Sequence, residues 1–130
     1  MAHKCNTRKK LKPQQRTEVY QKTGGHCAYC GCALKYKDMC VDHVISIRRG
    51  GTDIMDNMMP SCRSCNFYKD TLTLDGFRQR IEKAHDTLMR DNAAYKNAVR
   101  FGVIAHTPRP VKFYFENVTE NSTNGGGGNA

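Results

Sequence analysis

Two Cys-x-x-Cys pairs, Cys27–Cys30 and Cys62–Cys65, limit what this chain can fold into more than any other feature. Such a turn brings two thiolates to one ion without backbone strain, and two turns supply the four ligands of a tetrahedral zinc site. A disulfide framework is the alternative, but seven cysteines are an odd number, and no apolar run follows the basic residues 1–12 as it would in a secretory signal. The pairs therefore predict structural Zn²⁺. We expect the other cysteines to be free thiols: Cys5, Cys32 and Cys40.

The segment between the two pairs is long enough to hold extra structure. It runs over residues 31–61, whereas a simple zinc ribbon has roughly 15 to 20 residues there. Residues 41–47 are rich in β-branched side chains and predict a strand. A basic loop with two glycines follows, and residues 57–60 predict a second strand that Pro60 ends. No helix breaker interrupts residues 62–70. We therefore predict a ββα unit at about residues 40–70.

Polar side chains suited to chemistry occupy defined places in this unit. Asp42 and His43 lie in the first predicted strand, and Asn66 directly follows the last cysteine. Helical geometry places Asn66 about 100° round from the cysteine stripe, so one helix can hold zinc and also face the hairpin. Because adjacent residues on a regular strand point to opposite faces, Asp42 and His43 can act on one phosphate only if the strand bends or ends there.

The order of four short pieces along the chain is informative: Asp42-His43, Gly50-Gly51, Asn57 and Cys65-Asn66-x-x-Lys69. This order resembles the signature of the HNH endonucleases, in the group whose ββα-metal core is braced by a four-cysteine zinc site. The resemblance covers roughly residues 27–70. It implies a nuclease that hydrolyses DNA phosphodiester bonds by nicking or by double-strand cleavage.

The resemblance also implies roles for single residues. His43 is expected to be the general base, Asn57 to hold the loop between the strands, and Asp42 with Asn66 to ligate one catalytic divalent cation. Imidazole can take a proton from water near neutral pH. A hard ion such as Mg²⁺ or Mn²⁺, held by few oxygen ligands, keeps positions open for phosphate.

Two positions depart from the family pattern. The third signature residue is Asn66 rather than His, which makes this an H-N-N version with a weaker, neutral oxygen ligand. Ser46 stands where relatives often have proline, so the end of the first strand is expected to be less fixed. Neither departure removes a required chemical group.

The charge of the chain favours a nucleic-acid substrate. Lysine and arginine number 21 against 12 acids, and residues 1–50 hold eleven of these bases and three of the acids. A basic surface attracts the phosphate backbone and releases counterions. No base-reading element stands out, so broad sequence preference is expected. The candidate phosphate contacts are Arg48, Arg49, Arg63 and Lys69.

The remaining chain predicts a supporting scaffold. We expect helices over residues 13–23, 74–89 and 93–100, a late strand over residues 111–115, and no membrane span. The predicted fold is α+β: a ββα-metal core braced by zinc, flanked by helices, with a late C-terminal strand. The predicted organisation is a basic arm at 1–12, one nuclease domain at 13–116 and a disordered glycine-rich tail at 117–130.

A different class of function fits part of the sequence. A non-catalytic zinc module that binds DNA would explain the cysteines and the charge, but it would leave the four polar signature residues as coincidence. A zinc-stapled interaction protein would explain less. The resemblance implies a cytoplasmic protein of a bacterial host whose partner is DNA. Small free-standing relatives are often phage or prophage proteins that work beside a packaging terminase, and others act in restriction or as mobile elements; the sequence does not choose among these.

Overall fold

The computed structural model describes residues 11–118, and this range contains helices and a small two-stranded sheet. The predicted α+β class is therefore confirmed. No helix in this range is long and apolar enough to cross a bilayer. The elements are α1 (Pro13–Gln21), β1 (Cys40–His43), β2 (Met58–Ser61), α2 (Arg63–Lys69), α3 (Leu74–Glu82), α4 (Ala84–Asp91) and α5 (Ala93–Arg100).

The sheet is an antiparallel pair whose register fixes the candidate residues. Asp42 of β1 lies opposite Met59, and His43 lies opposite Met58. All four residues of β1 are buried, because its two faces are both covered. β1 is shorter than the predicted strand, since the chain turns into a 3₁₀ helix at Ile47–Arg49. The strand thus ends at His43. This meets the condition under which Asp42 and His43 can act on one phosphate.

Pro60 does not end the second strand. It lies inside β2 opposite Val41, and its carbonyl accepts a hydrogen bond from the Ala28 N–H at 2.8 Å. Proline is tolerated in a sheet where its missing N–H is not needed for the ladder. This bond joins the first cysteine turn directly to the sheet.

A hydrophobic cluster beneath the sheet joins it to α1. It is formed by buried side chains from α1, from the loop that follows the first cysteine turn and from both strands. Burial of such side chains stabilises the fold by roughly 1.5–3 kcal/mol each. The cluster comprises Val19, Leu34, Met39, Val41 and Met58.

The helical predictions differ in accuracy. The helix predicted over residues 93–100 is confirmed: Asn92 caps it by accepting from the Tyr95 N–H at 2.9 Å, and Gly102 follows with a φ of 77°. The single helix predicted over residues 74–89 is two helices, because Lys83 leaves helical geometry with a ψ of 3°.

The late strand predicted over residues 111–115 is wrong, because residues 114–118 are helical. The Phe113 N–H donates to Glu116 Oε1 at 2.8 Å, which is one half of the capping box that begins a helix. The apolar pattern reflects packing instead. Phe113 is 1% exposed, and its ring centroid lies 5.3 Å from that of Tyr29 between the first two cysteines.

The described cysteines outside the two pairs differ from each other. Cys32 carries a free thiol, as predicted. Cys40, at the start of β1, is disulfide-bonded, so the prediction of a free thiol is wrong there. An odd number of cysteines excludes complete pairing but does not exclude one bond. Cys5 lies outside the described residues.

The described residues divide into two compact units by their own contacts: residues 11–74 with 112–118, and residues 75–111. The prediction of one domain over residues 13–116 stays a prediction. The predicted basic arm and glycine-rich tail lie almost wholly outside the described residues. All candidate site residues belong to the first unit.

Candidate functional site

Four thiols converge at one point in the first unit. The Sγ atoms of Cys27, Cys30, Cys62 and Cys65 all lie within 4.8 Å of one another. A tetrahedron with zinc–sulfur bonds of about 2.3 Å separates its sulfurs by about 3.8 Å, and the Cys30 and Cys62 Sγ atoms are 3.9 Å apart. The number, type and spacing of these donors therefore fit a structural metal ion such as zinc.

Within this cluster, neighbouring thiols favour the deprotonated form of Cys62. Hydrogen bonds from Cys27 and Cys65 lower the pKa of Cys62 to about 3. Its Sγ also accepts from the Cys65 backbone N–H at 3.4 Å, at the N-terminus of α2. Since the thiolate is the form that binds metal, the start of α2 favours metal binding.

The Asp42 carboxylate is held by partners from two elements outside its own strand. The Tyr29 hydroxyl donates to Asp42 Oδ2 at 2.5 Å, and the Lys69 ammonium lies 3.0 Å from the same oxygen. Asn66 Nδ2 donates to Oδ1 at 3.3 Å. Burial raises the pKa of Asp42, and Lys69 and Tyr29 oppose that rise. The orientation of this carboxylate is therefore fixed by the first cysteine turn and by α2.

Lys69 was predicted to contact phosphate, and the structure corrects this. Its side chain is fully buried, and its ammonium also donates to the His43 carbonyl at 3.1 Å. A buried ammonium needs such partners, because desolvation without them costs several kcal/mol. Lys69 therefore serves as an internal counter-ion that ties α2 to the end of β1.

Asn57 spans the loop between the strands, where it was predicted to lie. Its Oδ1 accepts from the Ile45 N–H at 2.9 Å, and its Nδ2 donates to the Ile45 carbonyl at 2.9 Å. The same Nδ2 donates to the Thr52 carbonyl at 2.8 Å. One buried amide thus ties both ends of the loop together.

His43 is mostly buried at the end of β1, with 7% of its side chain exposed. Its Nε2 lies 2.8 Å from Asp53 Oδ1. Asp53 belongs to the loop after the two glycines, and its side chain is 37% exposed. The imidazole is therefore held by a carboxylate from that loop.

A cleft of about 90 Å³ opens beside β1. Arg48 is the predicted phosphate contact that lines it, whereas Arg49 donates to the Thr71 carbonyl and Arg63 lines a separate depression beside the cysteine cluster. The cleft brings both strand-end residues to one space, and it is lined by Asp42, His43, Ser46, Ile47, Arg48, Asp70 and Thr71.

The two strands and α2 make a ββα unit. The four-thiol cluster lies at one side of this unit, and the polar cluster lies at the end of β1. Residues 27–70 match the HNH endonuclease family model. A search of curated proteins finds no match for the chain. The matched range holds all four thiols, both strands and α2, and HNH nucleases act on DNA.

The HNH segment offers oxygen donors for a catalytic cation. Asp42 and Asn66 lie side by side, and carboxylate and amide oxygens are the ligands that hard divalent ions prefer. Asn66 presents its amide nitrogen to Asp42, so its oxygen would face an ion between them only after the amide turns. Lys69 already offsets the charge of Asp42. The donor types fit such an ion, and the charge balance indicates weak binding.

Two residues of this HNH site were missed by sequence reasoning. Tyr29 lies between Cys27 and Cys30, and nothing in this position indicates a role for its hydroxyl. It reaches Asp42 only through the fold. Asp53 lies ten residues after His43 in an irregular loop. The glycines before Asp53 signalled the turn, but no periodic rule predicts which way the loop aims its side chains.

Proposed function

We propose that this chain is a metal-dependent endonuclease that hydrolyses DNA phosphodiester bonds. The observation that supports it best is the convergence of Asp42, His43 and Arg48 on one cleft at the end of β1. These side chains provide a base, an anionic ligand for a cation and a positive charge for phosphate. Their convergence within a matched HNH segment has no purpose in a structural module.

In this mechanism, His43 accepts a proton from the water that attacks phosphorus. Imidazole suits this step because its ordinary pKa is close to neutral. Arg48 lines the same cleft and offsets the charge of the phosphate oxygens. Asn57 keeps the loop that carries Arg48 in place through its bonds to Ile45.

Asp42 and Asn66 are the residues that would hold the catalytic cation. When bound, Mg²⁺ or Mn²⁺ supplies Lewis-acid stabilisation of phosphate charge and of the leaving 3′ oxygen. Tyr29 and Lys69 both engage Asp42 Oδ2, which leaves Oδ1 as the oxygen with more freedom to bind an ion. The cysteine cluster has no open position and serves the fold.

The decisive experiment is cleavage of supercoiled plasmid by zinc-loaded protein with Mg²⁺ or Mn²⁺. We expect nicked or linear product from the wild-type protein. His43→Ala should fold and retard DNA equally, but it should cleave at least about 100-fold more slowly, because affinity rests on backbone charge whereas the base acts on rate. His85→Ala, which removes an imidazole from the second unit, is the matched control and should cleave normally.

A non-catalytic DNA-binding module is the second candidate, and one observation favours it. The Lys69 ammonium already neutralises Asp42 at 3.0 Å, so the carboxylate does not need a cation to be stable. That module would retard DNA without cleaving it at any divalent-ion concentration. Equal cleavage by wild type and His43→Ala would contradict the proposed chemistry in a different way, because it would mean that another group is the base.

A further inference from the structure

The hydrogen bond between His43 and Asp53 uses one of two ring nitrogens. Nε2 is 2.8 Å from Asp53 Oδ1. A carboxylate oxygen can only accept, so the imidazole nitrogen in this bond carries the proton. The other nitrogen, Nδ1, is then the unprotonated one in the neutral ring, and it alone can accept a proton from water.

The loop that carries Asp53 is built to hold this position. Asn57 Nδ2 fixes the Thr52 carbonyl at 2.8 Å, immediately before Asp53. Gly51 packs closely against the backbone of residues 45–46, so that a Cβ on it would lie 1.8 Å from the Ile45 carbonyl oxygen. The loop therefore folds back tightly on the end of β1. The Asn57 hydrogen bond and the close packing of Gly51 both hold Asp53 next to His43.

We infer that Asp53 is a positioning residue that fixes the His43 tautomer and leaves Nδ1 as the nitrogen that takes the proton from the attacking water. This role rests on the proposed function. Asp53 does not act on the substrate; it acts through the imidazole. The hydrogen bonds of Asn57 then have a second role, because they set the position of Asp53 as well as the shape of the loop.

Substitution by asparagine separates this role from a structural one. An amide can donate to Nε2, and that bond favours the tautomer with the proton on Nδ1, which cannot accept a proton from water. A merely structural hydrogen bond would survive in Asp53→Asn. Positioning through the tautomer predicts instead that Asp53→Asn is at least as slow as Asp53→Ala.

The test uses zinc-loaded wild-type protein, Asp53→Asn, Asp53→Ala and the control Asp56→Asn, which removes a carboxylate from the same loop. Plasmid cleavage should fall about 10- to 100-fold in kcat for both Asp53 variants, with DNA affinity and melting temperature unchanged. Asp56→Asn should cleave normally. Histidine ¹⁵N chemical shifts, assigned with His43→Ala at a pH where the ring is neutral, should show Nε2–H in wild type and a larger share of Nδ1–H in Asp53→Asn.

Each outcome decides the matter. If both Asp53 variants cleave within about twofold of the wild-type rate, the positioning role is overturned and the proposed function stays intact. An unchanged His43 tautomer in Asp53→Asn overturns the role in the same way. Absence of cleavage by the wild-type protein, with the tautomer shift still seen, overturns the proposed function and with it the role of Asp53 in the reaction.

Discussion

The four-thiol cluster and the cleft at the end of β1 use different means to bring side chains together. In the cluster, one short turn sets each pair of thiols, and the two pairs meet where the Ala28 N–H bonds to the Pro60 carbonyl. In the cleft, Asp42 depends on Tyr29 from one turn and Lys69 from a helix. Local spacing thus sets each half of the first site, whereas every contact that orients Asp42 in the second comes from tertiary packing. Substitutions at many positions can therefore disturb the cleft, and we expect each of them to have a smaller effect than the loss of one cysteine of the cluster.

The largest effect should come from the cluster. Cys62→Ser removes one of four ligands, and because structural zinc contributes on the order of 10 kcal/mol to folding, this variant should be unfolded or molten. Zinc content and the circular dichroism melting curve are the measurements. Cys32→Ser removes a free thiol close by and should keep both one zinc per chain and the wild-type curve. A Cys62→Ser protein that melts like wild type would show that the cluster is not structural.

A smaller loss of stability should follow when the link between the two regions is cut. Tyr29→Phe removes a buried hydrogen bond to a carboxylate, which costs about 1.5–3 kcal/mol. Urea denaturation of zinc-loaded protein measures it. Tyr20→Phe is the matched control, because its hydroxyl donates to the neutral Leu34 carbonyl at 2.6 Å and should cost about 1 kcal/mol. Equal losses would mean that the charge of Asp42 adds nothing to the link.

The cation requirement should change when the amide beside Asp42 is removed. Asn66→Ala should raise the Mg²⁺ or Mn²⁺ concentration for half-maximal cleavage about tenfold, which is about 1.4 kcal/mol, because one oxygen ligand is lost. The protein should stay folded, since the thiol of Cys65 is untouched. Asn97→Ala, on the exposed face of α5, should leave the metal titration unchanged. Normal cleavage by Asn66→Ala at every ion concentration would leave Asn66 with a packing role alone.

The smallest effect should come from the backbone at the rim of the cleft. Asp70 ends α2 with a φ of 52° and a ψ of −124°, a conformation that costs a non-glycine residue roughly 1 kcal/mol or more. Asp70→Gly should therefore raise the free energy of unfolding by about 1 kcal/mol. Asp70→Ala keeps the strain and should not. A stability gain shared by both variants would point to the lost charge rather than to the backbone.

The sequence predicted the parts that depend on local spacing. Both cysteine pairs, the ββα order and the exact bounds of α5 follow from residue intervals and helix caps, which act over a few positions. The placement of Asn57 also followed from its position in the family pattern. These are interactions whose partners lie close together along the chain or within one familiar unit.

The remaining features depend on contacts that no interval reveals. Lys69 looked like a surface charge, but burial against Asp42 gives it an internal partner. Tyr29 and Asp53 reach the site through the packing of a turn and an irregular loop. The aromatic residues near position 113 looked like a strand because strands and buried helix ends both favour them. Tertiary burial decided each of these cases.

The segment that covers the first cysteine turn comes from near the other end of the described chain. The N–H groups of Tyr114 and Phe115 donate to the carbonyls of Tyr29 and Ala28 at 3.0 and 2.9 Å, across more than 80 residues. Contacts of such high sequence separation form late in folding. During synthesis, the cysteine turn that holds Asp42 therefore stays uncovered until residues 114 and 115 have left the ribosome, so the order of translation delays completion of the cleft at the end of β1.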